Sequence, residues 1–191
     1  MTVHEPNLGN RVRVCNRARF FIIALQFSMD AATEFQVRPV QPEDLETICR
    51  HRHEMFKVSG RTDEAVTPMT DNFRPWLEPR LADGRYFGWL ILADAEVIAG
   101  VGMMVLDWPP HPSHPDQGAR GYVLNMYVEP TYRRRGLGKR LMDLCRLEAE
   151  RRGLTYTVLH ATQQGRGLYE QLGWRPTTEM SLTLDAQDGA N

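Results

Sequence analysis

Cysteine is scarce in this sequence: three residues in 191, Cys15, Cys49 and Cys145, with neither paired spacing nor metal-ligand spacing. That excludes a disulfide framework and a thiolate metal centre, and it reads as reduced thiols in a cytoplasmic protein. Long apolar runs are also lacking. The stretch Phe20–Leu25 falls far short of the ~20 residues a bilayer span requires, so no membrane partner is expected. A large excess of one charge is absent too. A net charge of −1 argues against a nucleic-acid partner. No internal repeat is visible, and only Asp185–Asn191 has the composition of a loose tail. What remains, 42% hydrophobic and 25% charged residues, suits one soluble globular domain.

Positive charge is unevenly placed. Residues 1–28 carry Arg11, Arg13, Arg17 and Arg19 against a single acid, Glu5. A secretory signal fits this segment only loosely, because Gln26 breaks the apolar stretch after six residues, and an Arg-rich, acid-poor organelle presequence fits similarly loosely. We read 1–28 as an extension outside the domain and 29–191 as the domain, since the pattern from Phe35 onward is self-sufficient.

Phe35–Val40 alternates apolar and polar residues, as a half-buried strand does. Pro42, Glu43 and Asp44 mark a helix start, after which Leu45, Ile48, Cys49, Arg52 and Phe56 recur at helical spacing up to Gly60. Residues 61–68 read as turn-rich, and Thr70–Leu81 as a second short helix closed by Asp83-Gly84. Tyr86–Ala93 and Val97–Leu106 form a hairpin through Asp94-Ala95-Glu96. His111 and His114 lie in a proline-heavy loop with no third ligand, and read as solvated. Tyr122–Val128 is the most apolar strand. A helix from about Leu137 to Arg152 follows, then a strand over Thr155–His160, a helix over Gln164–Leu172 and a last strand over Thr177–Leu184.

The join between the strand 122–128 and the helix after it carries the chemistry. Gly136 and Gly138 stand where strand hands over to helix, among Arg133, Arg134, Arg135, Lys139 and Arg140. Unpaired amides at a helix start, with the helix dipole behind them, bind phosphate, and glycine lets the backbone approach the ligand. The P-loop pattern fails because Arg140 follows Lys139. The dinucleotide fingerprint fails because Leu141 stands where a third glycine belongs.

Arg133-x-x-Gly136-x-Gly138, directly after Leu124–Pro130, resembles the acyl-CoA signature of the GNAT superfamily of N-acetyltransferases. Leu168-Tyr169-Glu170-Gln171-Leu172-Gly173-Trp174 is similar to a second segment of that family, and element order agrees from about Phe35 to Leu184. The resemblance implies an α/β (α+β) fold, a mixed central sheet of about six strands flanked by helices and splayed at the cofactor-binding strand. It also implies an enzyme that moves the acetyl group of acetyl-CoA, a co-substrate, to a primary amine by direct attack through a tetrahedral intermediate, without a metal. Met126, Tyr127 and Val128 would line the pantetheine arm, the Val128 amide facing the thioester carbonyl. Arg133, Arg134, Arg135, Gly136, Leu137, Gly138 and Lys139 would hold the pyrophosphate. Thr162 stands where many members carry asparagine, and its hydroxyl would bond the pantetheine in that residue's place, as a weaker and shorter substitute.

By the same resemblance Tyr169 is the general acid. Two residues compete as base: Glu129, acting through water, and His160, at the end of a parallel strand. Asn125 would orient the amine, and Trp108, Trp76 and Trp89 are candidates for lining the acceptor pocket. The acceptor is expected to be a small-molecule or peptide amine, and a homodimer is left open. A non-catalytic acyl-CoA sensor is the alternative, and retention of Tyr169 argues against it.

Overall fold

A computed structural model describes residues 35–112 and 114–182. The 1–28 extension, the Met29 boundary and the tail after Leu182 lie outside the described residues. Five strands form one sheet in the order β1-β2-β3-β4-β5. These are β1 Gln36–Pro39, β2 Phe87–Ala93, β3 Glu96–Asp107, β4 Ala119–Val128 and β5 Thr157–Leu159. The first three pairings are antiparallel and β4–β5 is parallel. β2 and β3 are joined by Asp94 and Ala95, both at positive φ, the backbone that a two-residue hairpin needs.

Helices cover both faces. On one side lie α1, Leu45–Val58, and α2, Asp63–Ala82. Their buried Ile48, Cys49, Phe73, Leu77 and Leu81 pack with Tyr86 and Leu124. On the other side α3, Leu137–Arg151, sets Leu137, Leu141, Met142 and Cys145 against Ile91, Ala99, Val101, Met103 and Val123. α4, Gln163–Gln171, follows β5. Among the described residues no helix is long and apolar enough to cross a membrane.

Two expectations change. Residues 63–68 are helical, not turn: α2 begins after an extended Thr62, with Asp63 and Glu64 in its first turn. Pro68, Pro75 and Pro79 obscure the periodicity, but Val66, Phe73, Leu77 and Leu81 still share one buried face. The sixth strand does not appear as far as Leu182; Met180 and Leu182 are 94% and 84% exposed. Their alternation is strand-like, but among the described residues no strand pairs with them. Beside β5 a groove of about 840 Å³ stays open, bordered by α3, α4 and the chain after Trp174.

Leu77 is wholly buried at the centre of the α1–α2 layer. Leu77→Ala should cost about 2–5 kcal/mol, seen as a lower urea midpoint at unchanged slope. A change below about 1 kcal/mol would show that this layer packs loosely.

Candidate active site

The site is organised by an irregularity in β4. Gly100 pairs with Tyr127 and Gly102 with Leu124, so Val101 on β3 faces two residues, Asn125 and Met126. Asn125 takes φ +54°, a region asparagine tolerates better than most residues. The bulge turns both Leu124 and Asn125 to the α1–α2 side, where Leu124 packs near Ile48 and Phe73 and Asn125 meets Arg52 and Tyr86. Beyond it, the Glu129 amide donates to the Ile98 carbonyl at 2.8 Å. Alternation then points the backbone groups of Tyr127 toward β3, and those of Met126 and Val128 toward the opposite edge. On that edge the ladder stops at Val123–Leu159. The Val128 carbonyl accepts from Arg133 Nε at 3.0 Å, which ties the following turn to the strand.

In that turn Arg134 has φ +62° and Gly136, the N-cap of α3, has φ +80°. Arg140 N–H bonds the Gly136 carbonyl at 3.0 Å, so the amides of Leu137, Gly138 and Lys139 have no partner within the helix. Both glycines therefore serve here, though not equally as the ligand argument anticipates. A Cβ on Gly136 would meet open space; one on Gly138 would lie 2.9 Å from Leu168 Cδ2 and 3.3 Å from Met126 Cε. The room at Gly138 is filled by α4 and β4, because three elements converge there. Lys139 Nζ is bound to Asp143 at 2.7 Å on the exposed helix face.

Tyr169 is buried and stands edge-on to Trp174. Burial, with a smaller contribution from Cys145, pushes its phenol up to about 12. Thr162 is the N-cap of α4, its Oγ1 accepting from the Gly165 amide at 3.2 Å. Sequence reasoning assigned it a ligand contact and missed this cap. Both described cysteines are buried; burial raises Cys49 and pushes Cys145 up to about 12, which suits neither to nucleophilic attack.

The two candidate bases differ. Glu129 accepts from Arg50 Nη1 at 2.5 Å and from the Tyr127 hydroxyl at 3.1 Å. Burial raises its pKa, but the Arg50 and Tyr127 bonds and the Arg50 charge outweigh burial and hold it below the usual range. The carboxylate is thus engaged at both oxygens and weakly basic. His160 is exposed, with Nδ1 2.5 Å from the Tyr122 hydroxyl and Nε2 3.7 Å from Glu179. Glu179 also faces Arg120 at 3.6 Å, and the Arg120 guanidinium lies 3.5 Å from the ring centre of Trp108. The structure so links Trp108, Arg120, Glu179, His160 and Tyr122.

Other aromatic candidates separate. Trp76 stacks on Phe73 on the α1–α2 side, whereas Trp89 packs against the α3-side core. His114 is not solvated: it is buried and stacked on Tyr156 at 4.4 Å. Among the described residues no group of three or more His, Cys, Asp or Glu is placed to hold a metal. Arg52, Arg50 and Tyr122 were not singled out as site residues. Arg52 left a signal all the same, a cation within the apolar stripe of α1.

A sequence model of the acetyltransferase (GNAT) family matches residues 45–174. The crystal structure of a GCN5-related N-acetyltransferase from Ralstonia eutropha JMP134 is 51% identical, covering 78% of this chain and 98% of its own, with TM-score 0.77. A predicted acetyltransferase with acetyl-CoA from Clostridium acetobutylicum shares the fold at TM-score 0.70 and 24% identity, over 78% of this chain and 96% of its own. Glucosamine 6-phosphate N-acetyltransferase of Trypanosoma brucei brucei is 37% identical over 68 residues, 35% of this chain and 45% of its own length. The chain thus matches less than half of that relative.

His51 yields a test of the electrostatics beside Glu129. It is buried against Tyr127, and burial, then the Arg50 charge, lower its pKa to about 4 against the opposing pull of Glu129. The unfolded chain therefore takes up this proton near pH 6.5 while the folded one stays neutral to about 4. Stability from this group is complete above pH 6.5 and is lost as pH falls toward 4, by roughly 3 kcal/mol. His51→Leu should flatten the urea-derived stability profile over that window. An unaltered slope would mean that His51 titrates normally.

Proposed function

The chain belongs to the acetyltransferase (GNAT) family, and from that premise we propose that it moves the acetyl group of acetyl-CoA onto a primary amine by direct attack. The observation that carries this reading is the open edge of β4 beyond Val123, facing away from β3 and leading into a helix start with unpaired amides. Both features fit the donor. The edge groups of Met126 and Val128 suit the amide-rich pantetheine arm, which would join the sheet as an added strand. The amides of Leu137, Gly138 and Lys139 suit the pyrophosphate, with the Arg133–Arg135 side chains adding positive charge.

Acetyl-CoA supplies an activated thioester carbonyl; the chain's residues orient it and move the protons. The Val128 amide donates toward the carbonyl oxygen, where negative charge develops. His160 receives the amine's proton, directly or by way of the Tyr122 hydroxyl. It is preferred to Glu129 because Glu129 is committed to Arg50 and Tyr127. As the amine nitrogen bonds to the acetyl carbon and the carbon–sulfur bond breaks, Tyr169 gives a proton to the thiolate. Its raised pKa keeps it protonated at neutral pH. The hydroxyl hydrogen of Thr162 remains available for the pantetheine, since its oxygen is the accepting atom of the cap. Trp108 and Asn125 border the acceptor side. The Trypanosoma relative's name brings glucosamine 6-phosphate into the set of amines to be tried.

An amine panel with acetyl-CoA, read by mass spectrometry of products and by thiol release, tests the reading; absence of transfer to every amine would overturn it. Tyr169→Phe should lower kcat about ten- to a thousandfold and leave acetyl-CoA affinity nearly unchanged. An unchanged kcat at neutral and alkaline pH would remove Tyr169 from the mechanism.

A further inference from the structure

Arg52 is a cation built into the apolar face of α1, between Cys49 and Phe56. Its guanidinium carbon lies 5.0 Å from the ring centre of Phe56 and 4.6 Å from that of Phe73. Nη1 donates to Asn125 Oδ1 at 2.6 Å and Nε to Met69 Sδ at 3.2 Å. Among the described residues Nη2 has no hydrogen-bond partner. Neighbouring cations differ: Arg50 is paired with Glu129, Lys57 with Asp63 and Arg74 with Glu46. Among the described residues Arg52 makes no ion pair. Burial pulls its pKa down, and the groups that pull it back, Tyr86, Tyr122 and Cys49, are all neutral at pH 7. Taking a guanidinium part-way out of water, with no ion-pair partner among the described residues, costs hydration that a methionine or leucine at this position would not need.

The position gives that cost a use. Through Asn125 the guanidinium is fixed to the bulge of β4, on the sheet face opposite α3 and on the side of Tyr122. We propose that Arg52 determines acceptor specificity, and that the acceptor is a small primary amine bearing a carboxylate or a phosphate, whose oxygens take the free Nη2 and the second N–H of Nη1. A planar fork suits both anions, and Phe56 and Phe73 hold that fork in place. The proposal rests on the acetyl-transfer reading above for its reaction, though not for the anion site itself.

Matched pairs test it. Glycine against glycinamide and 4-aminobutyrate against 4-aminobutyramide probe the carboxylate, and O-phosphoethanolamine against ethanolamine probes the phosphate. In at least one pair the wild-type enzyme should favour the anionic member by about tenfold to a hundredfold in kcat/KM, the range a charge-assisted hydrogen bond supplies. Arg52→Gln should bring that ratio near one, and Arg52→Lys should keep part of it. Equal rates within every wild-type pair would overturn the proposal, whether or not the variants fold. So would a ratio that survives in a folded Arg52→Gln. Calorimetry of acetate and inorganic phosphate against the CoA-saturated protein separates the two readings. Anion binding that vanishes in Arg52→Gln, with no amine acetylated, would keep the site and discard the reaction. Acetylation without anion preference would do the reverse.

Discussion

The site depends on one residue of β4 adopting a backbone that strands do not use. With Asn125 at positive φ, β4 slips one residue against β3, and everything beyond it is re-aimed. Met126 moves to the α3 side, Leu124 and Asn125 share the other, and β5 has no continuous partner to follow past Val123. Asparagine meets the need twice. It tolerates the left-handed region, and its amide spans a buried gap, donating to Tyr86 and accepting from Arg52.

The bulge also divides the electrostatics. On one side of β4 lie the arginines and unpaired amides of the turn before α3. On the other, Arg52 stands among Phe56, Phe73 and Tyr122, with Arg50 tied to Glu129 beside it. Cationic or donor groups thus stand on both sides of the strand while the whole chain is nearly neutral. Surface ion pairs such as Lys139–Asp143 and Arg146–Glu150 absorb the remaining charge and contribute little to stability.

Most of the fold was legible from periodicity. The α1 stripe, the β2–β3 hairpin with its short link, and the α3 face ending near Gly153 all appear where the pattern put them. The start of α2 was not, because three prolines mask a helix that tertiary packing of Val66, Phe73 and Leu77 sustains. The sixth strand, expected over Thr177–Leu184, does not form as far as Leu182, where no described strand pairs with it. In the site, the glycine turn was visible as a spacing. The bulge was not, since nothing local marks Asn125 as left-handed. The Arg50–Glu129 bond joins residues 79 apart in sequence, a contact no local pattern encodes. For the same reason Glu129 looked freer, and more basic, than its surroundings make it.

Gly138 has a consequence that reaches beyond its own turn. Where its side chain would be, Leu168 of α4 fits against the start of α3, and Leu168 directly precedes Tyr169. In the proposed reaction, the grip on the far end of a long donor and the phenol at its reacting end would therefore rest on one shared contact, like two jaws on a common pivot. A donor cut short of its phosphates would leave the first jaw empty and lose alignment at the second. Such a molecule should forfeit turnover as well as affinity, because binding energy gathered at the phosphates is spent at the thioester.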